Sequence, residues 1–243
     1  MKKFSFLLFF ILFLIAFILI CGILIFLSRY TEKSDIHIDS GSILSSPIVI
    51  IDAGHGGEDG GTVGKNGCLE KDINLVLAKK LKAILSSMGI ESLLTRDSDT
   101  LLYDKNADYE GQKKRLDMQA RLDIVRSYDN AVFISIHQNS FPQEKYKGFQ
   151  IYYSSNNQDS EDLARVIESA VKSTLQPDND RVAKPAGQSI YLLHKLDCTA
   201  LLLECGFLSN AEECELLCDD KYQNELCAVI ACGIERYLNN GIS

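Results

Sequence analysis

Residues 48–77, IVIIDAGHGGEDGGTVGKNGCLEKDINLVL, decide how this chain is read. The stretch opens on four apolar, mostly β-branched residues, the composition of a buried strand. It then breaks at Asp52 into a loop that holds seven glycines: Gly54, Gly56, Gly57, Gly60, Gly61, Gly64 and Gly67. A loop so rich in glycine lets backbone and polar groups approach closely. In an α/β sheet it leaves the carboxyl end of a strand, where ligand sites collect. This one carries two potential metal ligands, His55 at its start and Glu70 at its end. Ile73, Val76, Leu77, Leu81, Ile84, Leu85 and Met88 then recur at helical spacing until Gly89 closes the run. One strand, loop and helix unit thus presents a histidine and a carboxylate together.

Two later runs repeat the pattern of an apolar strand that ends on a polar residue. AVFISI, residues 131–136, leads into His137, Gln138 and Asn139, and residues 200–203 lead into Glu204. Residues 91–95 form a further short strand. Residues 148–153 alternate, with Phe149, Ile151 and Tyr153 on one side, which places them as a strand nearer the sheet edge. Helical patterns cover 113–128, 160–175 and 222–238, and residues 190–193 are a short apolar run. Asn210 and Glu213 have capping-box spacing for a helix over 211–217. Strands alternating with helices predict a single α/β domain with a largely parallel sheet.

The chain has 243 residues, 46% of them hydrophobic and 24% charged, which suits one domain with a short appendage. That appendage is the N-terminus. Residues 4–27 contain no charge, Lys2 and Lys3 precede them and Arg29 follows, so residues 1–30 read as a short cytoplasmic end and a transmembrane signal anchor. The run exceeds the usual apolar core of a cleavable signal peptide, and no small-residue cleavage site follows it. The lysines keep the N-terminus inside and send the domain out, as a single-pass membrane protein whose catalytic part is extracytoplasmic. Residues 31–46 are a polar, serine-rich tether in which His37 is solvated, and the domain spans 47–243.

The whole chain carries a net charge of −8 while all the charge in residues 1–30 is positive, so the exported part is more acidic still. Nucleic acid is therefore excluded as a partner. The eight cysteines lack compact spacing, and Cys214 and Cys218 stand one turn apart on one helix, poorly placed to bridge each other. Mostly free thiols are expected, with Cys68 and Cys205 the pair closest to the candidate site residues.

If the strands are parallel neighbours, their ends lie side by side and His55, Glu70, His137 and Glu204 converge. Two imidazoles and one carboxylate make a catalytic zinc set, with a fourth position left for water, and a second carboxylate would handle that water's proton. Taken singly, each residue has a plainer reading. A strand-end histidine is often structural, and a glutamate at a helix start, as Glu70 and Glu204 both could be, is a favourable partner for the helix dipole.

Four stretches, IVIIDAGHGG, LEKDINL, FISIHQNS and LLLECGFLSNAEE, resemble in this order the zinc-dependent N-acetylmuramoyl-L-alanine amidases of the type-3 family. The resemblance runs from Pro47 to the C-terminus. It implies a twisted sheet between helices, one zinc per chain held by His55, Glu70 and His137, and Glu204 as the catalytic glutamate. Arg96 and Arg121 match recurring arginines with a structural or substrate-contacting role. The implied reaction cleaves the amide between the lactyl group of muramic acid and the first L-alanine of peptidoglycan stem peptides.

A bare catalytic domain behind one anchor further resembles the germination-specific amidases of spore formers. That implies action on the spore cortex from the forespore intermembrane space, a lactam-forming deacetylase acting downstream, and room for an activating protein partner. The competing readings are another zinc amidohydrolase of the wall, such as a deacetylase or carboxypeptidase, and a non-catalytic membrane-anchored wall-binding protein.

Overall fold

A computed structural model describes residues 46–103 and 111–240. The expected anchor over 1–30, and the tether apart from its last residue, lie outside the described residues. Among those described, no helix is long and apolar enough to cross a membrane.

In chain order the elements are β1 (Ile48–Ala53), α1 (Glu70–Ser87), β2 (Ser92–Leu94), α2 (Lys113–Arg126), β3 (Ala131–Asn139) and β4 (Gln150–Tyr153), followed by α3 (Asp159–Thr174), β5 (Lys184–Pro185), α4 (Tyr191–Lys195), β6 (Thr199–Phe207), α5 (Ala211–Cys218) and α6 (Asp220–Asn240). The strands form one sheet in the order β2-β1-β3-β6-β4-β5.

The apolar runs become central strands because both of their faces are covered. Val49, Ile51, Val132, Ile134, Leu201 and Leu203 point to one side, against the apolar stripe Ile73, Leu77, Leu81 and Leu85 of α1 and against α3 and α6. Their neighbours Ile50, Ala131, Phe133 and Ala200 point to the other side, against Leu122 and Val125 of α2 and Leu192 and Leu193 of α4. Leu77, Leu81 and Leu85 are 0–1% exposed, and each such side chain contributes roughly 1.5–3 kcal/mol by leaving water. Gly89 ends α1 as expected: its φ of 75° is left-handed, and Ile90 N–H returns to Leu85 O at 2.9 Å.

The sheet is mixed rather than uniformly parallel. β1, β2, β3 and β6 run parallel, but β4 pairs antiparallel with β6, and it lies inside the sheet with the two-residue β5 as the edge. The reason lies in the connection from Asn139 to Gln150. It contains no helix, and a parallel return needs a crossover of about a dozen residues or more, usually helical.

Three further boundaries differ from the sequence reading. β3 and β6 continue past His137 and Glu204 to Asn139 and Phe207, so both residues lie within strands instead of ending them. The 190–193 run forms the short helix α4. The capping box is half made: Asn210 Oδ1 accepts from Glu213 N–H at 3.1 Å. The Glu213 carboxylate turns away and accepts from Phe207 N–H and Gly148 N–H, both at 2.8 Å, which ties the end of β6 to the start of β4.

Candidate metal centre

Strand alternation puts four polar side chains on the α2 and α4 side of the sheet. Asp52 follows Ile50 in β1, Ser135 and His137 follow Phe133 in β3, and Glu204 follows Ala200 and Leu202 in β6. The register then makes neighbours of them: Asp52 pairs with Ser135, and His137 with Glu204. His55 comes from the loop after β1, at a φ of 62° that is uncommon for a residue with a Cβ. Glu70 is the first residue of α1, where the carbonyls of Thr62 and Gly60 take the N–H groups of Glu70 and Lys71 at 2.9 and 3.2 Å in place of a side-chain cap.

The two histidines converge on one oxygen. Glu70 Oε1 lies 3.1 Å from His55 Nε2 and 3.0 Å from His137 Nδ1, and it also accepts from Gln138 N–H at 3.1 Å. Glu70 Oε2 accepts from Thr62 N–H at 2.9 Å. Burial alone would push this carboxyl up, but the His137 and His55 rings hold it well below the usual carboxylate range. Burial would likewise lower His55, yet Glu70 and Asp59 together raise it above its ordinary value. Asp59 Oδ1 lies 3.0 Å from His55 Nδ1 but off the line of a regular hydrogen bond, close enough to act on the ring by its charge.

Two glycines make this approach possible. A Cβ on Gly54 would stand 2.3 Å from His137 Cε1 and Nε2, and one on Gly61 would stand 2.6 Å from Glu70 Oε2. Both positions therefore need the smallest side chain.

Glu204 is partly exposed as a residue, but its Oε2 is enclosed and has no hydrogen-bond partner in the protein. Burial pushes its carboxyl up to about 7, against the pull of His137. A carboxyl poised there can take and return a proton near neutral pH. His55 and His137 face a cleft of about 240 Å³ whose far wall includes Lys114, Met118 and Tyr191.

The sequence reading missed Asp52, and its arginines prove structural. Asp52 is 1% exposed and accepts from Thr95 Oγ1 and Ser135 Oγ, both at 2.7 Å, and from Arg121. Arg121 is 2% exposed; it donates to Asp117 at 2.8 Å, to Ala53 O at 2.9 Å and to His55 O at 2.8 Å. Arg96 donates to Ala53 O at 2.8 Å, Gly54 O at 3.0 Å and Lys71 O at 2.9 Å. The two guanidinium groups thus satisfy the carbonyls of the loop that presents His55. The available signals were a charged residue inside the apolar run of β1 and the four-residue spacing of Asp117 and Arg121 on α2.

Cys68 and Cys205, the two cysteines nearest the site residues in sequence, have different surroundings. Cys205 is buried in the core, whereas Cys68 Sγ lies 3.7 Å from Cys214 Sγ, and all seven described cysteines are free.

His55, Glu70 and His137 offer ligand atoms within 4.8 Å of one another, the one such cluster among the described residues. Two imidazole nitrogens and a carboxylate oxygen are the donors a catalytic zinc takes, so the residues fit that ion. A cluster of this kind at the carboxyl ends of parallel strands, beside a second carboxylate, defines the chain as an α/β protein with a candidate metal centre.

Known proteins narrow that class. Residues 49–236 match the N-acetylmuramoyl-L-alanine amidase family Amidase_3, and the chain belongs to that family. It is 33% identical over 216 residues to the germination-specific N-acetylmuramoyl-L-alanine amidase of Bacillus subtilis, spanning 88% of this chain and 90% of the relative. Among solved structures, the CwlD amidase of Clostridioides difficile in complex with the GerS lipoprotein is 39% identical, with a TM-score of 0.75 over 80% of this chain and 99% of that one. AmiC2 of Nostoc punctiforme, another N-acetylmuramoyl-L-alanine amidase, is 30% identical, with a TM-score of 0.68 over 80% of this chain and 98% of that one. The protein is a peptidoglycan N-acetylmuramoyl-L-alanine amidase.

Proposed function

We propose that this amidase works with one zinc ion, held by His55, Glu70 and His137, and that Glu204 is its general base and acid. The observation that carries the reading is the convergence of both imidazoles on Glu70 Oε1, with Glu204 beside His137 on the next strand. Zinc bound there supplies a Lewis acid that activates water and polarises the scissile carbonyl. Glu204 takes a proton from the attacking water and delivers it to the departing L-alanine nitrogen, so that one carboxyl serves both halves of the hydrolysis. Gln138 N–H and Thr62 N–H hold the Glu70 carboxylate in place, and the charge of Asp59 beside Nδ1 favours the His55 ring orientation in which Nε2 faces the centre. Lactyl and peptide ends of the substrate separate across the cleft, leaving a free amine on the stem peptide.

The kinship with the germination-specific enzyme of Bacillus subtilis and with CwlD supports a place in spore cortex maturation. There the exposed lactyl carboxyl feeds a deacetylase that forms muramic-δ-lactam. The anchor over 1–30 holds the domain on the outer side of a membrane, and a lipoprotein of the kind seen with CwlD is the partner class that fits that place.

The test is mass spectrometry of muropeptides after incubation with the zinc-loaded protein and with the same protein after chelation. The expected product is an intact stem peptide with a free N-terminal alanine, formed only with zinc. Release of acetate or of a C-terminal amino acid, or full turnover after chelation, would overturn the reading.

A further inference from the structure

Three of the cysteines meet at the turn that leads into Glu70. Gly64 N–H donates to Cys68 O at 2.8 Å and Gly67 N–H to Gly64 O at 2.9 Å, so residues 64–68 fold back on themselves and carry the Cys68 thiol toward α5. There it meets Cys214, which is 146 positions away in the chain, with the sulfurs 3.7 Å apart. Gly64 leaves the space for this meeting, since a Cβ on it would stand 2.6 Å from Cys68 Sγ and 2.7 Å from Cys214 Sγ. Asn66 holds both partners in place: its Oδ1 accepts from Cys68 N–H at 3.0 Å and from the Cys214 thiol at 3.3 Å. Cys218, one turn further along α5, is exposed and accepts from Asn66 Nδ2 at 3.4 Å.

We propose that Cys68 and Cys214 are a disulfide site, closed by exchange with a small-molecule or protein disulfide. A disulfide needs its sulfurs about 2.05 Å apart, so closure requires a movement of under 2 Å, and Gly64 puts no side chain against either sulfur. Cys68 is the partly exposed member of the pair and the one that a donor disulfide can reach. Its sulfur attacks the donor disulfide, breaking that bond, and one donor half leaves as a thiol with the Cys68 proton. Cys214 sulfur then attacks Cys68 Sγ, and the second donor half leaves as a thiol with the Cys214 proton. The two protein thiols lose two electrons and two protons, and the donor disulfide gains them.

The bond would join the turn before Glu70 to the helix that follows the strand of Glu204, bridging two segments far apart in the chain. A loop of that length is the case in which a crosslink restricts the unfolded chain most. It acts on stability and not on the chemistry of hydrolysis, so its test is separate from that of the proposed mechanism.

The full chain is incubated with oxidised or with reduced glutathione, alkylated, digested without reduction and read by mass spectrometry, with melting followed on the same two samples. The expected result is one linked peptide pair containing Cys68 and Cys214 in the oxidised sample, and a Tm higher by about 5–10 °C than in the reduced one. Cys218→Ser, which removes only the exposed thiol, still forms the link. Alkylation of every cysteine after oxidation, a link through any other pair, an unchanged Tm, or thiols that are unlinked yet protected until a chelator is added would each overturn the proposal.

Discussion

His137 and Glu204 stand directly opposite each other in the parallel pairing of β3 and β6. Side chains at paired positions leave the sheet on the same face, so the register alone puts a candidate metal ligand beside the candidate proton carrier. Neither residue needs a flexible loop to find the other, which is how a site built on strands keeps its geometry.

From this pairing, Glu204→Gln should lose proton transfer and little else. We expect turnover to fall by about 10² to 10⁴, with near-stoichiometric zinc and an almost unchanged Tm. Zinc content, Tm and muropeptide release measured on one sample decide the matter. Near-normal release would leave Glu204 with a structural role only.

Gly54→Ala tests the cradle of His137. The added methyl would stand 2.3 Å from the ring, which must shift away from the centre to make room. Zinc affinity should drop by about 10- to 100-fold, the usual cost of misplacing a ligand, while Tm without metal stays within a few degrees of wild type. Unchanged affinity in a competition assay would show that the ring is not confined there.

Arg121→Met removes the cation from a buried cluster and strands Asp52 and Asp117. Breaking such a group costs about 3–5 kcal/mol, and the carbonyl of His55 loses this donor as well, while that of Ala53 keeps Arg96. Urea unfolding should show a loss of that size. A loss under about 1 kcal/mol would mean that water replaces the guanidinium without strain.

Asp52 gives a pH dependence with a definite sign. Burial would raise its carboxyl, but Arg121, Thr95 and Ser135 outweigh that and leave it below its ordinary value of 3.8. A depressed folded value means that the unfolded chain binds the proton more readily. The contribution of Asp52 is thus complete above its ordinary value and disappears as pH falls through the folded value. Asp52→Asn should be less stable than wild type at neutral pH and lose less on acidification below pH 3.8. Parallel slopes for the two proteins in denaturation between neutrality and strong acid would exclude Asp52 as a source of acid lability.

The sequence by itself determined the local pieces of this protein. The apolar run of β1, the glycine-rich loop, the 3.6-residue stripe of α1 and the polar residues following two other apolar runs marked His55, Glu70, His137 and Glu204, because burial and backbone freedom leave a periodic trace within a few residues. Tertiary structure decided what depends on pairing between distant segments. It set the antiparallel placement of β4, the alignment of His137 with Glu204, and the diversion of Glu213 from its own helix cap to Phe207 and Gly148. It turned Arg96 and Arg121 inward to the loop carbonyls and brought Cys68 to Cys214. All of these but the Glu213–Phe207 bond, six residues long, are registers or contacts across tens of residues or more. The energy that selects it comes from closing one core and satisfying buried polar groups together, and no short window of sequence carries that sum.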